Sequence, residues 1–305
     1  MKYIAKANAK INLHLEVLNR REDGYHNIFG LFSSIDLYDL LILNRATLYS
    51  SSRASSIEVI PDGGRYQGLI RSISTNENLI TKSVKAYLDR INKCGDVSIS
   101  IKKDIPAKAG LGGGSSDAGA CLLLLNSYFQ ILDQGELLQL GAEIGSDVPY
   151  CLTSGFAICE GTGDIIETIE GQLSCNILVL DTGIQISTAK AYESLGRGLD
   201  SPYCEDDILQ KREMIRKILI EGEVWRFKNF FRNDFEESAF NKFPDLKAIK
   251  DVLYKMGADF VTMTGSGAAI IALFQDIEKT RYAEKKIGER VKNLYTTKFS
   301  EVRNL

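Results

Sequence analysis

Between residues 96 and 131 the chain changes its period in a way that few folds accommodate. DVSISIKKDIP (96–106) alternates apolar and polar residues, as a half-buried strand does. PAKAGLGGGSSDAGA (106–120) then crowds glycines at 110, 112, 113 and 114, and an apolar run over 116–131 reads as a helix. A strand, a glycine-rich bend and a helix aim backbone N–H groups at one point, and the helix dipole favours an anion there. Ser115 and Ser116 stand where that helix is expected to begin, placed to cap it or to offer a hydroxyl to phosphate or metal. The plainer reading is a tight turn with capping serines, and the density of glycine weakens it. Two common phosphate motifs do not fit. No Lys-Ser/Thr pair follows the glycines as in G-x-x-x-x-G-K-[ST], and Gly110-x-Gly112 meets Ser115 where G-x-G-x-x-G needs a third glycine. The loop says phosphate without naming a chemistry.

The flanking chain supplies alternating α and β segments. Residues 5–17 alternate almost perfectly, with Ala5, Ala7, Ala9, Ile11, Leu13, Leu15 and Val17 on one side. Lys6, Asn8, Lys10, Asn12, His14 and Glu16 occupy the other side, which is expected to be a solvated sheet face. NRREDGYH (19–26) carries an Asp-Gly turn, and 28–43 reads as further strand. Residues 44–75 read as strands or loops on an edge, 76–91 and 135–145 as helices, and GSDVPYCL (145–152) as a loop because of Pro149. A hairpin is expected over 154–169, a boundary near 166–172, and a new strand over 175–182. Helices are expected over 206–220, 223–232, 243–257 and 277–293, with strand, glycine turn and strand over 258–274. These readings describe an α/β (α+β) chain in two domains, 1–168 and 169–305.

Composition narrows the function classes. With 305 residues and 44% hydrophobic residues the chain has material for a large core. A net charge of −3 argues against nucleic acid as a partner. Cys94, Cys121, Cys151, Cys159, Cys175 and Cys204 form no CxxC pair and read as reduced core residues. The N-terminus lacks a signal-peptide run and no apolar stretch would span a bilayer, so a cytoplasmic chain without membrane contact is expected.

Three separate positions complete a chemistry. Asp147 in GSDVP is placed to accept a hydroxyl proton or help hold magnesium, although one such aspartate is more often a cap. Lys10 supplies a cation, although most strand lysines are merely solvated. TGSG (264–267) is a second glycine turn, either covering a ligand or closing an ordinary hairpin. Phosphoryl transfer needs a phosphate cradle, a cation and a group that orients the nucleophile, and this chain has a candidate for each.

AKANAKINLHLEVLNRREDGYHNI, PAKAGLGGGSSDAGA and MTGSGAAIIALF resemble, in order and spacing, the three motifs of the GHMP kinases. REDGYH, GLGGGSSDA and IGSDVPYCL resemble the branch of that family that acts on a cytidylylated methylerythritol. The resemblance implies a two-domain fold, ribosomal-protein-S5-like then ferredoxin-like, unlike the Walker fold. It implies ATP and Mg²⁺ as cofactors, a small-molecule alcohol phosphorylated on its 2-hydroxyl, an isoprenoid-precursor pathway independent of mevalonate, and a monomer or homodimer. Lys10 and Asp147 fall on the family's catalytic pair, with Asp147 orienting the hydroxyl and Lys10 holding Asp147 ionised and stabilising the moving phosphoryl. Pro106, Ala107, Lys108, Ala109, Gly110, Leu111, Gly112, Gly113, Gly114, Ser115 and Ser116 match the ATP-phosphate loop. Asn78, Leu79, Lys103 and Asp117 match positions near the nucleoside. Asn12, Tyr25, His26, Phe32, Thr188 and Tyr192 match the alcohol side, where Tyr25 and Tyr192 would sandwich a cytosine and His26 would meet its polar edge; Phe32 also reads as core packing. The resemblance names no magnesium ligand. It leaves Ser116, Asp147, or phosphates and water alone. Ser146 stands where the family usually has alanine. The alternatives are another GHMP kinase, acting on mevalonate, homoserine or a sugar, and a binding module that no longer transfers phosphate.

Overall fold

The computed structural model describes residues 3–50, 54–199 and 201–300. The first sheet contains β1 (Tyr3–Arg20), β2 (His26–Tyr49), β3 (Ser56–Pro61), β4 (Cys94–Lys102), β5 (Phe156–Gly161) and β6 (Ile165–Ile169). β2 is its spine. β1 pairs antiparallel along it from Tyr3↔Leu43 to Arg20↔His26, while β4 and β5 pair with successive halves of β2. Helices α1 (Gln67–Ser72), α2 (Leu79–Arg90), α3 (Gly113–Phe129), α4 (Gln134–Ile144) and α5 (Val148–Thr153) complete this half. α2, α3 and α4 bury Val84, Tyr87, Leu122, Leu125 and Leu140 against Leu41, Val97 and Ile99 of the sheet.

The second sheet has β7 (Asn176–Asp181), β8 (Phe260–Met263), β9 (Ile270–Phe274) and β10 (Asn293–Thr297) in the order β10-β7-β9-β8, all antiparallel. Its helices are α6 (Thr188–Ser194), α7 (Glu205–Glu221), α8 (Phe227–Phe230), α9 (Glu236–Lys242), α10 (Pro244–Lys255) and α11 (Ile277–Ile287). Strand, helices, hairpin, helix and strand in this spatial order make the split βαβ arrangement of ferredoxin-like folds. The two sheets share one core. Ala9, Ile11 and Leu13 of β1 pack in the same cluster as Ile177, Val179, Phe260 and Ile271.

That shared core overturns one expectation. Lys10, Asn12, His14 and Glu16 are not on a solvated face but buried. The segment after α8 lies along β1: Leu15 N–H donates to Arg232 O (2.9 Å), Asp234 N–H to Leu15 O (3.0 Å), and Val17 N–H to Asp234 Oδ2 (2.9 Å). A sheet edge left open exposes unpaired backbone groups, and here distant chain covers it. His14 and Glu16 are used up structurally. His14 Nδ1 accepts from Arg232 N–H (3.1 Å), and Glu16 meets His14 Nε2 (3.0 Å), Lys211 (2.9 Å) and Arg232 (3.3 Å). Burial alone would raise the Glu16 pKa, but these partners hold it at about 2.

Other local expectations also shift. GSDVPYCL is not all loop, because α5 starts at Val148; proline is tolerated in a first helical turn, where its missing N–H costs nothing. α3 starts at Gly113 with Gly112 as its N-cap, so neither Ser115 nor Ser116 caps it. The helix expected over 223–232 is a 3₁₀ turn followed by the single turn of α8. α11 stops at Ile287, and a 3₁₀ turn over Gly288–Arg290 leads on to β10. Within 44–75, β2 runs on to Tyr49, then β3 and α1 follow, and residues 51–53 lie outside the described ones. Cys121, Cys151, Cys159 and Cys175 are buried, whereas Cys94 is half-buried and Cys204 exposed; all six are free. No described helix is long and apolar enough to cross a membrane.

Candidate active site

The glycine loop is locked between β1 and the hairpin of β8 and β9. Lys10 N–H donates to Leu111 O (3.0 Å), and Ala269 N–H to Ala109 O (3.2 Å). Gly110 has φ +83°, and a Cβ there would sit 2.1 Å from Thr264 O. Gly112 has φ +65°, and its Cβ would fall 2.6 Å from Lys10 Cγ. Both positions combine a left-handed backbone with contact closer than any side chain permits. TGSG is therefore more than a hairpin turn. Thr264 Oγ1 accepts from Asn12 N–H (3.0 Å) and lies 3.3 Å from Gly110 O.

Two cavities meet at this loop. The smaller, about 330 Å³, is lined by Asn78, Leu79, Lys103, Asp117, Pro106, Ala107, Lys108, Gly110 and the run from Leu111 to Ser115. The larger, about 870 Å³, is lined by Lys10, Asn12, Tyr25, His26, Phe32, Asp147, Thr188 and Tyr192, with Gly110 and Gly112 again. Both are of a size that holds small ligands. Of the residues singled out from sequence, only Ala109 and Ser116 face neither cavity.

Lys10 and Asp147 come together where the cavities join. Lys10 is 6% exposed, and its Nζ lies 3.2 Å from Asp147 Oδ2, donates to Asn12 Oδ1 (3.0 Å) and sits 4.9 Å over the Phe32 ring. Asp147 stands at the N-cap of α5, yet its side chain makes no capping bond. The ordinary explanation for a loop aspartate therefore does not account for it. Asn12 Nδ2 is buried without a hydrogen-bond partner. An orphaned donor costs about 1–3 kcal/mol, so its place beside the Lys10–Asp147 pair points to a ligand that completes it. Phe32 is nearly all core, edge-on to Tyr150, although it also lines the larger cavity.

On the smaller cavity the charges behave differently. Lys103 Nζ binds both Asp117 Oδ2 (2.6 Å) and Asp39, all three buried. Burial opposes the charge on Lys103, but the two carboxylates raise its pKa. Burial pushes Asp117 well above the usual carboxylate range; Lys103 opposes this and the Asp39 carboxylate adds to it. Asp39 also accepts from the backbone N–H of Ile105 (2.8 Å) and Asp104, and so anchors the start of the loop. Lys103 and Asp117 thus line the cavity but spend their charge on each other. Asn78 caps α2 by accepting from Ile80 N–H (2.9 Å). Lys108, exposed and at φ +57°, is the loop's own solvent-facing cation. Ser116 Oγ is buried 3.5 Å from Cys151 Sγ, which leaves Ser115 as the serine on the cavity wall.

The sandwich is expected between Tyr25 and Tyr192, and one face of Tyr192 is taken by His26. His26 stacks directly on Tyr192, with centroids 4.9 Å apart and planes at 26°. A ring cannot enter between them, since each stacked layer needs a comparable spacing of its own. Tyr25 is 63% exposed beside them. Burial lowers the His26 pKa, a hydrogen bond to the Arg197 backbone opposes this, and the Arg20 charge lowers it further. Thr188 is tied to the third motif through Ser266 Oγ (3.0 Å).

Sequence reading missed Asn233, Asp39, Arg20 and Arg197. Asn233 is buried and donates to Met263 O (2.8 Å) and Gly265 O (2.9 Å), fixing the TGSG turn. Nothing local in RNDF marks it. Asp39 sits in the apolar-rich run LYDLLIL, and an acid in such a run was the available signal.

The GHMP kinases N terminal domain family matches residues 78–155, and the GHMP kinases C terminal family matches 225–296. A 4-diphosphocytidyl-2-C-methyl-D-erythritol kinase of Caldicellulosiruptor saccharolyticus is 33% identical over 95% of this chain and 92% of its own. One from Bacillus cytotoxicus is 37% identical over 90% of this chain and 88% of its own. A crystal structure of 4-(cytidine 5'-diphospho)-2C-methyl-D-erythritol kinase superposes with a TM-score of 0.74 at 29% identity, covering 98% of this chain and 99% of that one. The homoserine kinase of Cytophaga hutchinsonii reaches 0.73 at 15% identity, covering 99% and 95%, which is a likeness of fold.

Proposed function

The chain belongs to the GHMP kinases, and we propose that it phosphorylates the 2-hydroxyl of 4-diphosphocytidyl-2-C-methyl-D-erythritol with ATP, giving the 2-phosphate and ADP, in mevalonate-independent isoprenoid synthesis. The observation that carries this is the Lys10–Asp147 pair, 3.2 Å apart where the two cavities meet, with Asp147 free of any capping bond.

The geometry supports the following roles. ATP enters the smaller cavity, its phosphates against the N–H groups of 110–115 and the N-terminus of α3. The alcohol enters the larger cavity. Asp147 orients its 2-hydroxyl and takes the proton as the oxygen attacks the γ-phosphorus. The bond from that phosphorus to the β,γ-bridging oxygen breaks, and ADP leaves. Lys10 offsets the charge on the transferring phosphoryl, and Asn12 Nδ2 donates to the same oxygens. Magnesium bound to ATP would neutralise phosphate charge; the Ser115 hydroxyl on the smaller cavity or the Asp147 carboxylate on the larger one would offer it an oxygen, with phosphates and water for the rest. Among the described residues no cluster of three acidic, histidine or cysteine ligands exists to hold a metal alone.

Tyr25, His26 and Tyr192 receive the cytosine. His26 stays neutral at pH 7 and uses one nitrogen on the Arg197 backbone, so its other nitrogen can accept from the cytosine amino group. The division of labour falls at 168/169, with residues 1–168 holding ATP and 169–305 covering an alcohol whose site includes Asn12, Tyr25, His26 and Phe32 from the first part. We place the protein in the cytoplasm. The test is ADP release measured with ATP and each of several alcohols. Release with the cytidylylated alcohol, and background with mevalonate and homoserine, is expected; release with either of those instead would contradict the reading.

A further inference from the structure

The larger cavity carries two cations that the catalytic chemistry does not use. Arg20 ends β1 opposite His26, well along the strand from Lys10, and Arg197 follows α6. Both line the cavity beside His26 and Tyr192. Their spacing is fixed by backbone, since Arg20 N–H donates to Gly198 O (2.9 Å). Arg20 has no carboxylate within ion-pair reach among the described residues, and its Nη2 lies only 3.9 Å from the Cβ position of Gly24 on the cavity wall. Arg197 meets one acid, Asp234, at 3.5 Å, but Asp234 already binds Arg232 Nε (3.0 Å) and Val17 N–H (2.9 Å). The Nε of Arg197 is buried with no hydrogen-bond partner among the described residues. Arg20 is exposed and Arg197 half-buried, so both guanidiniums can meet a ligand, and the orphaned Arg197 Nε is a donor that an anionic ligand would satisfy.

We propose that Arg20 and Arg197 clamp the diphosphate bridge of the alcohol substrate, and so select a nucleoside-diphosphate-linked alcohol over an uncharged one. This rests on the functional reading above, in which cytosine lies at His26 and the reacting hydroxyl at Asp147. Both arginines line the His26 end of the cavity, where the diphosphate next to the cytidine would lie. A guanidinium fork matches phosphoryl oxygens in bidentate fashion, whereas a neutral sugar or a short hydroxy acid would leave it idle. The two residues determine specificity and touch no reacting atom.

The experiment is steady-state kinetics of the full chain at saturating ATP. Arg20→Ala and Arg197→Ala should each raise KM for the cytidylylated alcohol about tenfold, and the pair about a hundredfold, the worth of one and two charge-assisted hydrogen bonds. The kcat should stay within about threefold, and KM for ATP, measured separately at saturating alcohol, should not move. Added salt should raise the wild-type KM and leave that of the double variant nearly flat. Arg20 has no ion partner to lose among the described residues, so Arg20→Ala carries the test if Arg197→Ala does not fold. An unchanged KM in folded variants overturns the clamp. If wild type turns over no cytidylylated alcohol, the functional reading is what fails. The clamp is then read from binding of inorganic pyrophosphate with the ATP cavity filled by a non-hydrolysable analogue. Binding lost in Arg20→Ala supports it, and equal binding overturns it.

Discussion

The two cavities use the same residue types in opposite ways. On the nucleotide side Lys103 is buried between Asp39 and Asp117, and its charge never reaches the cavity as a free cation. On the alcohol side Lys10 is just as buried but has one carboxylate, an amide oxygen and a ring around it, with an orphaned Asn12 donor alongside. A lysine between two carboxylates fixes structure, whereas a lysine facing one carboxylate and an open cavity can meet a ligand. Under the proposed function the glycine loop needs no lysine of the Walker kind, because backbone N–H groups would face the phosphates and the cation would come from Lys10 on β1. The close approach of Gly112 to Lys10 Cγ joins the two arrangements.

That contrast can be broken at either end. Asp147→Asn keeps the shape and removes the base, so kcat should fall roughly 10²- to 10⁴-fold with the melting temperature nearly unchanged. Single-turnover kinetics beside a thermal melt would check it. Lys103→Met should do the reverse, costing about 3–5 kcal/mol of stability by leaving two carboxylates buried without their cation. Urea unfolding measures it; a stable Lys103→Met protein with lost catalysis would mean that Lys103 serves the nucleotide directly. The smallest effect concerns pH. His26 has its pKa below the ordinary 6.5, so the neutral form persists to lower pH than usual. KM for the alcohol should rise about 2- to 10-fold only at a pH below the ordinary histidine range, as the ring gains a proton and one hydrogen bond to cytosine is lost. In His26→Gln that rise should be absent.

Much of this was legible because it is local. The change of period over 96–131, the alternation of β1, and Pro244 and Gly257 around α10 each determine an element through short-range physics. The loop's partners were legible as motifs but not as contacts. Burial of the polar face of β1 depends on Arg232 to Asp234, more than two hundred residues away, and no periodicity in β1 encodes it. The same holds for Lys103, whose partner Asp39 lies on β2. The cytosine site was read from residue types alone, and the direct stacking of His26 on Tyr192 shows how little types say about which rings face each other.

The central claim is that the catalytic cation lies off the phosphate loop, on the first strand. Lys10→Met tests it most directly when kcat and ATP affinity are measured on the same folded sample. The account predicts a loss in kcat of roughly 10²-fold or more, with the dissociation constant for ATP changed by less than about threefold. Near-normal turnover, or a loss of ATP binding as large as the loss of rate, would contradict it.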